Sequence, residues 1–298
     1  MIHHFFLKVA CAIDPITMIS IPNTTIDDLL ERYEVLLFDA YGVLVHFSGA
    51  MPGAADLIQQ LNQSRKSYFI LTNDASKLPI TAANRYQGYG LDIEAARILT
   101  SGALIRDYFK SHGLAGGRCV VLGPEDSRRY VEQAGGHIVA ANQDYDVIVI
   151  ADEGGYPFLE TVDKAFTSLC RQIDKGHKVQ MLLPNPDLIY PKAHQEMGFT
   201  AGSIAGIFEA ALKLRYPNHK DLIFTRLGKP ETHLFEAAYA RCHSHNMVMI
   251  GDQLETDIRG ARRFGIDSVW IQTGIIPGAP SQIPEFMQPT YILDSLLG

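Results

Sequence analysis

Acidic residues at the ends of two apolar runs are the first residues that could do chemistry. Asp39 lies near the end of the run at residues 35–40, and Gly42 follows it in a position that permits a tight turn. Asp252 comes directly after the run at residues 247–250, and Asp257 lies five residues further on. Carboxylates grouped in this way suit an oxygen-ligated hard cation such as Mg²⁺. Singly, each acid is equally consistent with a turn or with a favourable charge at a helix N-terminus.

Three further polar residues follow or adjoin apolar runs. Thr72 and Asn73 lie at the end of the run at residues 67–72, where they could hold an anion together with nearby backbone N–H groups. Lys229 lies between a glycine and a proline, so its loop has little freedom and its charge could balance carboxylates and a phosphate. Alone these signals are weak, because turn chemistry explains the first pair equally well and most lysines are solvated.

Short apolar runs alternate with helical stretches along most of the chain. Strands are predicted at residues 35–40, 67–72, 119–122, 147–150, 179–183, 247–250 and 268–272, and helices at residues 52–63, 127–134, 158–175, 201–214 and 232–240. This alternation is typical of β-α units on a parallel sheet. Ligands of open α/β sheets bind at the carboxyl ends of the strands, where the candidate residues lie. The predicted fold class is therefore α/β, and the tail after Gly274 is predicted to wrap the surface.

The chain is long enough for two domains, one of them inserted in the other. We expect residues 21–103 and 188–298 to form a discontinuous main domain and residues 104–187 to form a smaller α/β insertion. Residues 1–20 are expected to be a poorly ordered or docked extension. The apolar run near its start is interrupted by Lys8 and is too short to span a membrane.

Composition and charge exclude several classes of partner. The net charge of -7 argues against a nucleic-acid binder that works through a basic face. The four cysteines are widely spaced and form no Cys-x-x-Cys pair, which favours reduced thiols in a cytoplasmic protein. No segment is long and apolar enough to indicate membrane insertion. A small anionic substrate would need a local positive site.

In combination and in this order, the strand-end residues resemble the motifs of the haloacid dehalogenase (HAD) superfamily. The resemblance covers about residues 33–275. The inserted β-α units, residues 185–187 and residues 202–205 are similar to subclass IIA, which contains p-nitrophenylphosphatase-like, nucleotide and sugar phosphatases. The resemblance implies a Rossmann-like core with a parallel sheet and an inserted α/β cap domain of the C2 type. Caps of this class often take part in dimer contacts, which leaves a homodimer open.

The resemblance also implies a mechanism. Asp39 would attack phosphorus and form an aspartyl-phosphate, which water then hydrolyses. Mg²⁺ would be held by Asp39, Asp252 and the backbone carbonyl of Tyr41. The substrate would be a small phosphorylated metabolite, over which the cap closes.

Supporting roles follow from the same resemblance. Thr72, Asn73 and Lys229 would bind the phosphoryl oxygens of the substrate. Asp257 would position Lys229 or metal-bound water. The resemblance assigns no role to Asn185 or Asp187.

Tyr41 departs from the phosphatase pattern, which has an acid two residues after the nucleophile. A phenol with a pKa of about 10 can donate a proton but is a poor base near neutral pH. General acid–base help is typically worth about 10²–10⁴-fold in rate, so a slow phosphatase is expected. Two alternatives remain: a phosphometabolite-binding protein without turnover, and a C–X hydrolase similar to 2-haloacid dehalogenases. Those dehalogenases carry a cap just after the first motif, and the short segment between Tyr41 and Pro52 excludes one there.

Overall fold

The computed structural model of the protein describes residues 21–193, 196–273 and 283–297. The N-terminal extension expected at residues 1–20 lies outside these ranges. Of the helices within them, none has the length and hydrophobicity that crossing a bilayer requires.

Helices and short strands alternate along the described chain. The strands are β1 (Val35–Phe38), β2 (Val45–His46), β3 (Gly49–Ala50), β4 (Ser67–Thr72), β5 (Ile98–Thr100), β6 (Arg118–Leu122), β7 (His137–Ile138), β8 (Val147–Ile150), β9 (Gln180–Leu183), β10 (Ile189–Pro191), β11 (Met197–Phe199), β12 (Thr225–Arg226), β13 (Met247–Gly251), β14 (Asp267–Ile271) and β15 (Tyr291–Leu293). The helices are α1 (Ile26–Arg32), α2 (Ala54–Gln63), α3 (Pro79–Gly88), α4 (Leu104–His112), α5 (Glu125–Gln133), α6 (Phe158–Asp174), α7 (Ala201–Arg215), α8 (His233–Cys242) and α9 (Arg259–Phe264).

The first sheet has six parallel strands in the order β15-β14-β13-β1-β4-β5. Its central strand β1 is buried at every position, as expected of a parallel strand covered on both faces. In register, Phe38 lies between Ile250 of β13 and Ile70 of β4. The carboxyl ends of these three strands therefore meet at one edge, as the apolar runs predicted.

The second sheet has five parallel strands in the order β12-β9-β8-β6-β7. Helices α6 and α7 pack on one face, where Ile204 and Phe208 join the apolar residues of β8 and β9. On the other face, Val121 and Val149 share a hydrophobic cluster with Leu37 of the first sheet. The fold is therefore an α/β core with a second α/β unit, as predicted.

The second unit extends further along the chain than the sequence indicated. Residues after 187 were assigned to the main domain, but β12 pairs with β9 and α7 packs on the second sheet. The physical reason is the apolar face of α7, which is buried against that sheet. We propose that the inserted unit ends near residue 226.

Among the elements that were not predicted, a hairpin and a C-terminal strand bear on the architecture. Strands β10 and β11 form an antiparallel hairpin between β9 and α7. Near the C-terminus, the chain does not only wrap the surface, because β15 extends the first sheet and Ile292 packs in a cluster with Trp270 and Met287.

Candidate active site

Lys229 is the centre of a buried charge cluster at the carboxyl edge of the first sheet. Its Nζ lies 2.6 Å from Asp39 Oδ1, 2.7 Å from Asp257 Oδ1 and 2.7 Å from the carbonyl oxygen of Leu71. All three donors of the ammonium are therefore engaged. Burial works to lower the pKa of Lys229, but the carboxylates of Asp257 and Asp39 outweigh it and raise the pKa above its ordinary value. Lys229 is thus a fixed cation beside Asp39.

Three carboxylates surround this lysine. Oxygen atoms of Asp39, Asp252 and Asp257 lie within 4.8 Å of one another, and all three residues are buried. Burial, and next the charge of Asp39, raises the pKa of Asp252 well above its ordinary value. Burial also raises the pKa of Asp257 to about 7, against the opposing effect of Lys229. The cluster holds more negative charge than one lysine balances, and a bound cation would relieve that excess.

Two of the three acids have oxygen atoms free for a metal ion. Asp252 Oδ1 is buried and has no hydrogen-bond partner among the described residues. Asp39 Oδ2 accepts no hydrogen bond within the same ranges, while Oδ1 faces Lys229. Both oxygens of Asp257 are occupied, one by Lys229 and the other by the backbone N–H of Gln253 at 3.2 Å. Asp39 and Asp252 therefore fit a hard divalent cation, and Asp257 is placed to orient Lys229.

The turn after β1 lies directly against Asp252. Gly42 has a φ of +91°, and a Cβ there would lie 2.2 Å from Asp252 Oδ2. Glycine is therefore required at this position both for its backbone conformation and for the close approach. The same turn contains Tyr41, whose carbonyl was expected to face the metal.

Thr72 and Asn73 differ in what they can offer a substrate. Thr72 Oγ1 accepts a hydrogen bond from the Asp74 N–H at 3.2 Å, which leaves its hydroxyl hydrogen able to point into the cleft. Asn73 Nδ2 donates to Asp187 Oδ1 at 2.8 Å and to the Lys229 carbonyl at 3.0 Å, and Asn73 Oδ1 accepts from the Lys229 N–H at 2.8 Å. The amide of Asn73 is therefore fully used.

The side chain of Asn73 braces the Lys229 loop in this arrangement, and its phosphate contact stays a prediction. Its three hydrogen bonds fix the loop that carries Lys229 and connect that loop to Asp187. A Cβ on Gly228 would lie 2.4 Å from Asn73 Oδ1, which explains the glycine before Lys229. No sequence spacing could reveal this contact, because its partners are distant along the chain.

The side chain of Tyr41 is hydrogen-bonded to a segment that is distant along the chain. Its hydroxyl donates to the carbonyl oxygen of Pro191, on β10, at 2.7 Å. Burial raises the pKa of the phenol above its ordinary value. Tyr41, expected to assist catalysis, is therefore neither a base near neutral pH nor a donor free to protonate a substrate in this arrangement.

A cleft of about 220 Å³ opens above these residues. From the first sheet and its loops it is lined by Asp39, Thr72, Asp74, Lys77, Arg85 and Lys229, and from the other side by Asp152, Glu153, Asp187 and Tyr190. Asp152 and Glu153 were not identified from the sequence. They follow the apolar strand β8 almost directly, which is the signal that identified Asp39.

Two segments match known families. Residues 36–137 match the family described as haloacid dehalogenase-like hydrolase, and residues 226–298 match a HAD-hydrolase-like family. Both matches include strand ends of the site, since the first contains Asp39 and Thr72 and the second contains Lys229, Asp252 and Asp257.

Curated relatives cover most of the chain. A dihydroxyacetone phosphatase of Corynebacterium glutamicum is 28% identical over 262 residues, which are 87% of this chain and 88% of the relative. The ribonucleotide monophosphatase NagD of Escherichia coli is 24% identical over 242 residues, 80% of this chain and 88% of the relative. These relatives are phosphatases by name.

Solved structures agree on the whole architecture. A possible sugar phosphatase of the HAD superfamily from Cytophaga hutchinsonii superposes with a TM-score of 0.81 at 27% identity, covering 94% of this chain and 99% of that one. A glycerol phosphate phosphatase from Mycobacterium tuberculosis, in complex with magnesium, has a TM-score of 0.75 at 21% identity over 90% of this chain and 77% of that one, a likeness in fold alone. The chain therefore belongs to the haloacid dehalogenase superfamily of hydrolases, subclass IIA.

Proposed function

We propose that this protein is a Mg²⁺-dependent phosphatase that hydrolyses a small phosphorylated metabolite through an aspartyl-phosphate on Asp39. One observation carries the proposal. Asp39 lines the cleft, one of its oxygens is held by Lys229 at 2.6 Å, and the unpartnered buried oxygen of Asp252 lies in the same carboxylate cluster. The names of the curated relatives support phosphate monoesters as the substrates.

The residues of the site have different roles in the proposed reaction. Asp39 supplies the nucleophilic oxygen, and Lys229 fixes that carboxylate and adds positive charge where the phosphoryl group approaches. Thr72 offers a hydroxyl to a phosphoryl oxygen. Asp39 and Asp252 would hold Mg²⁺, which when bound neutralises phosphate charge and helps to align the substrate for in-line attack.

The size of the cleft favours a small substrate. Pockets for drug-sized ligands are typically about 300–1,000 Å³, and this cleft measures about 220 Å³. It therefore has room for a phosphoryl group and a leaving group of a few carbon atoms in this arrangement of the two units.

A second candidate function is supported by Tyr41. Because its hydroxyl donates to Pro191, the position that usually holds the acid–base group of a phosphatase has no free proton donor. A phosphometabolite-binding protein that lacks turnover would have the same feature.

Phosphate release from a panel of phosphometabolites and p-nitrophenyl phosphate, with Mg²⁺ and with excess chelator, separates the two functions. The phosphatase releases inorganic phosphate only with Mg²⁺, and Asp39→Asn abolishes the release. Asp56→Asn, the same substitution on the exposed side of α2, is the matched control and should keep full activity. Tight binding of a phosphometabolite without phosphate release would favour the binding protein, and equal activity in chelator would contradict the Mg²⁺-dependent reaction.

The proposal includes a cytoplasmic location for the protein and is compatible with a homodimer. The described cysteines Cys119, Cys170 and Cys242 are free thiols, which suits a reducing compartment. Several large apolar side chains on and beside the β10–β11 hairpin are exposed, including Phe199 at 73%. A second subunit could cover them.

A further inference from the structure

The proposed hydrolysis needs a group that gives a proton to the leaving oxygen and later takes one from water. Tyr41 is at the expected position, but its hydroxyl hydrogen is directed to Pro191. Four carboxylates other than Asp39 line the cleft: Asp74, Asp152, Glu153 and Asp187.

Asp74 is unsuited to proton transfer because both of its oxygens are engaged. Oδ1 accepts from the Ser76 N–H and hydroxyl at 2.7 and 2.6 Å, and Oδ2 accepts from Lys77 Nζ at 3.0 Å. Burial works to raise the pKa of Asp74, but Lys77 and Ser76 overcome it and hold the pKa below its ordinary value. The group stays an anion.

Asp152 and Glu153 stand on the opposite wall, in the loop after β8. Asp152 Oδ1 accepts a hydrogen bond from the Gly154 N–H within the same loop. Within the described residues, neither carboxylate has a hydrogen bond to Asn73 or Lys229, the residues that set the geometry around Asp39. Their position relative to the nucleophile is therefore less strictly fixed.

Asp187 is fixed to the catalytic loops through both its side chain and its main chain. Its Oδ1 accepts from Asn73 Nδ2 at 2.8 Å, and the same amide holds the Lys229 loop. Its N–H donates to Asn185 Oδ1 at 3.1 Å, and its carbonyl accepts from the Gly202 N–H at 3.0 Å and from the Thr200 hydroxyl. Asn185 therefore shapes the turn that presents Asp187.

The second carboxylate oxygen of Asp187 is available to a substrate. Oδ2 accepts no hydrogen bond in the described ranges and is not sealed from solvent, and the residue lines the cleft. Burial raises the pKa of Asp187 to about 6, with Asn73 and Lys229 opposing the rise and Asp39 adding to it. Both protonation states are thus accessible near neutral pH, as general acid–base catalysis requires.

We propose that Asp187 is the general acid–base residue of this enzyme, in place of the acid that Tyr41 replaces. The inference rests on the proposed phosphatase function. As Asp39 forms its bond to phosphorus, the bond between phosphorus and the leaving oxygen breaks and that oxygen takes the proton of Asp187, giving the free alcohol. Asp187 then takes a proton from water, the water oxygen attacks phosphorus, and the bond to Asp39 breaks to release inorganic phosphate.

Tyr41 has a positioning role in this scheme. Its hydrogen bond to Pro191 connects the turn after Asp39 to the strand that begins two residues after Asp187. It thereby holds the segment that carries the acid beside the nucleophile.

Comparison of an aryl and an alkyl phosphate tests the proposal. p-Nitrophenolate leaves without protonation, whereas an alkoxide such as that of glycerol phosphate needs a proton. Asp187→Asn should lower kcat on the alkyl phosphate by about 10²–10⁴-fold. With p-nitrophenyl phosphate it should instead show a burst of p-nitrophenol, because the first step is spared and hydrolysis of the aspartyl-phosphate becomes limiting.

Controls separate proton transfer from structure. Asn at position 187 keeps an oxygen for Asn73, so the melting temperature should be unchanged. Asp56→Asn, the same substitution on the exposed side of α2, should keep the aryl-to-alkyl ratio of the unchanged protein. Asp187→Glu and the double variant Tyr41→Asp/Asp187→Asn should recover part of the alkyl activity.

If the unchanged protein is active and Asp187→Asn keeps its turnover of the alkyl phosphate and its pH profile, the proposed role of Asp187 is wrong. The proposed phosphatase function would still stand in that case. Equal losses on both substrates without a burst would also overturn the role of Asp187, because they indicate a structural effect. Failure of the unchanged protein to release phosphate from any substrate would overturn both proposals.

Discussion

The two walls of the cleft are built in different ways. On the wall from the first sheet, Lys229 alone makes three contacts of 2.7 Å or less, and Asn73 makes three more hydrogen bonds around it. On the wall from the second unit, Asp152 and Glu153 form no ion pair among the described residues, and burial raises the pKa of each. Side chains bonded to one another in a buried network cannot adapt to a substrate, whereas side chains outside such a network can bind its leaving group.

The contrast between the Lys229 network and the pair Asp152 and Glu153 fits a division between chemistry and recognition. Groups aimed at a reacting phosphoryl group act best when they need no rearrangement during the reaction. Groups that select among substrates gain from having hydrogen-bonding capacity that only the right leaving group satisfies.

The largest effect is expected from Lys229→Met. Without this cation, the buried carboxylates of Asp39 and Asp257 face each other uncompensated, and breaking a buried pair costs about 3–5 kcal/mol. Urea denaturation of the metal-free protein measures the loss. Lys77→Met is the matched control, because the ion pair of Lys77 with Asp74 is partly exposed and worth about 1 kcal/mol or less. Similar losses for the two variants would contradict the special contribution of the buried network around Lys229.

Much of the site was predictable because it depends on strand ends. Apolar runs such as residues 67–72 are buried on both faces of a parallel sheet, so their lengths and ends can be read from the sequence. Parallel neighbours bring those ends to one edge, which placed Asp39, Thr72 and Asp252 together. The loop between glycine and proline drew attention to Lys229, and its role at the site came from the family resemblance.

The remaining features depend on side-chain contacts between distant segments. The Asn73–Asp187 bond joins residues 114 apart, and the Tyr41–Pro191 bond joins residues 150 apart. The periodicity of apolar residues along the sequence does not indicate contacts between residues so far apart. The strands β10, β11, β12 and β15 have two or three residues each, too few to show alternation, so the end of the inserted unit was placed too early.

Mg²⁺ should stabilise the protein through the first wall in a pH-dependent manner. Burial raises the folded-state pKa of Asp257 from 3.8 to about 7 and raises that of Asp252 as well. Such groups favour the folded state below pH 4, and this contribution is lost as the pH rises through about 7. The metal-free protein therefore carries unrelieved charge at pH 8, where Mg²⁺ binds best.

A thermal-shift series over pH with and without Mg²⁺ checks this expectation. At a concentration of 100 Kd the stabilisation should be about 2.7 kcal/mol at pH 8 and should shrink towards pH 5, where protons compete for the carboxylates. Asp252→Asn should remove most of the shift. A shift that grows as the pH falls, or that persists in Asp252→Asn, would place the cation elsewhere.

The smallest effect on turnover is expected from substitutions of Asp152 and Glu153, on the wall from the second unit. Asp152→Asn combined with Glu153→Gln removes two uncompensated charges beside the leaving group, so kcat on a neutral sugar phosphate should change less than about tenfold, in line with modest recognition energies. The same change should lower KM for a substrate with a second anionic group, such as 6-phosphogluconate compared with glucose 6-phosphate, because like-charge repulsion is removed. A large loss of kcat with unchanged preference would show that Asp152 and Glu153 themselves take part in the chemistry.

The central claim is that Asp39 becomes phosphorylated during turnover. Acid quenching of the Mg²⁺-loaded Asp187→Asn variant during reaction with p-nitrophenyl phosphate, followed by peptide mass spectrometry, tests it directly. We predict the added mass of one phosphoryl group on the peptide that contains Asp39, and reduction of the acyl phosphate with borohydride should mark that residue. Release of inorganic phosphate without any adduct on this peptide, together with turnover in Asp39→Asn, would contradict the account.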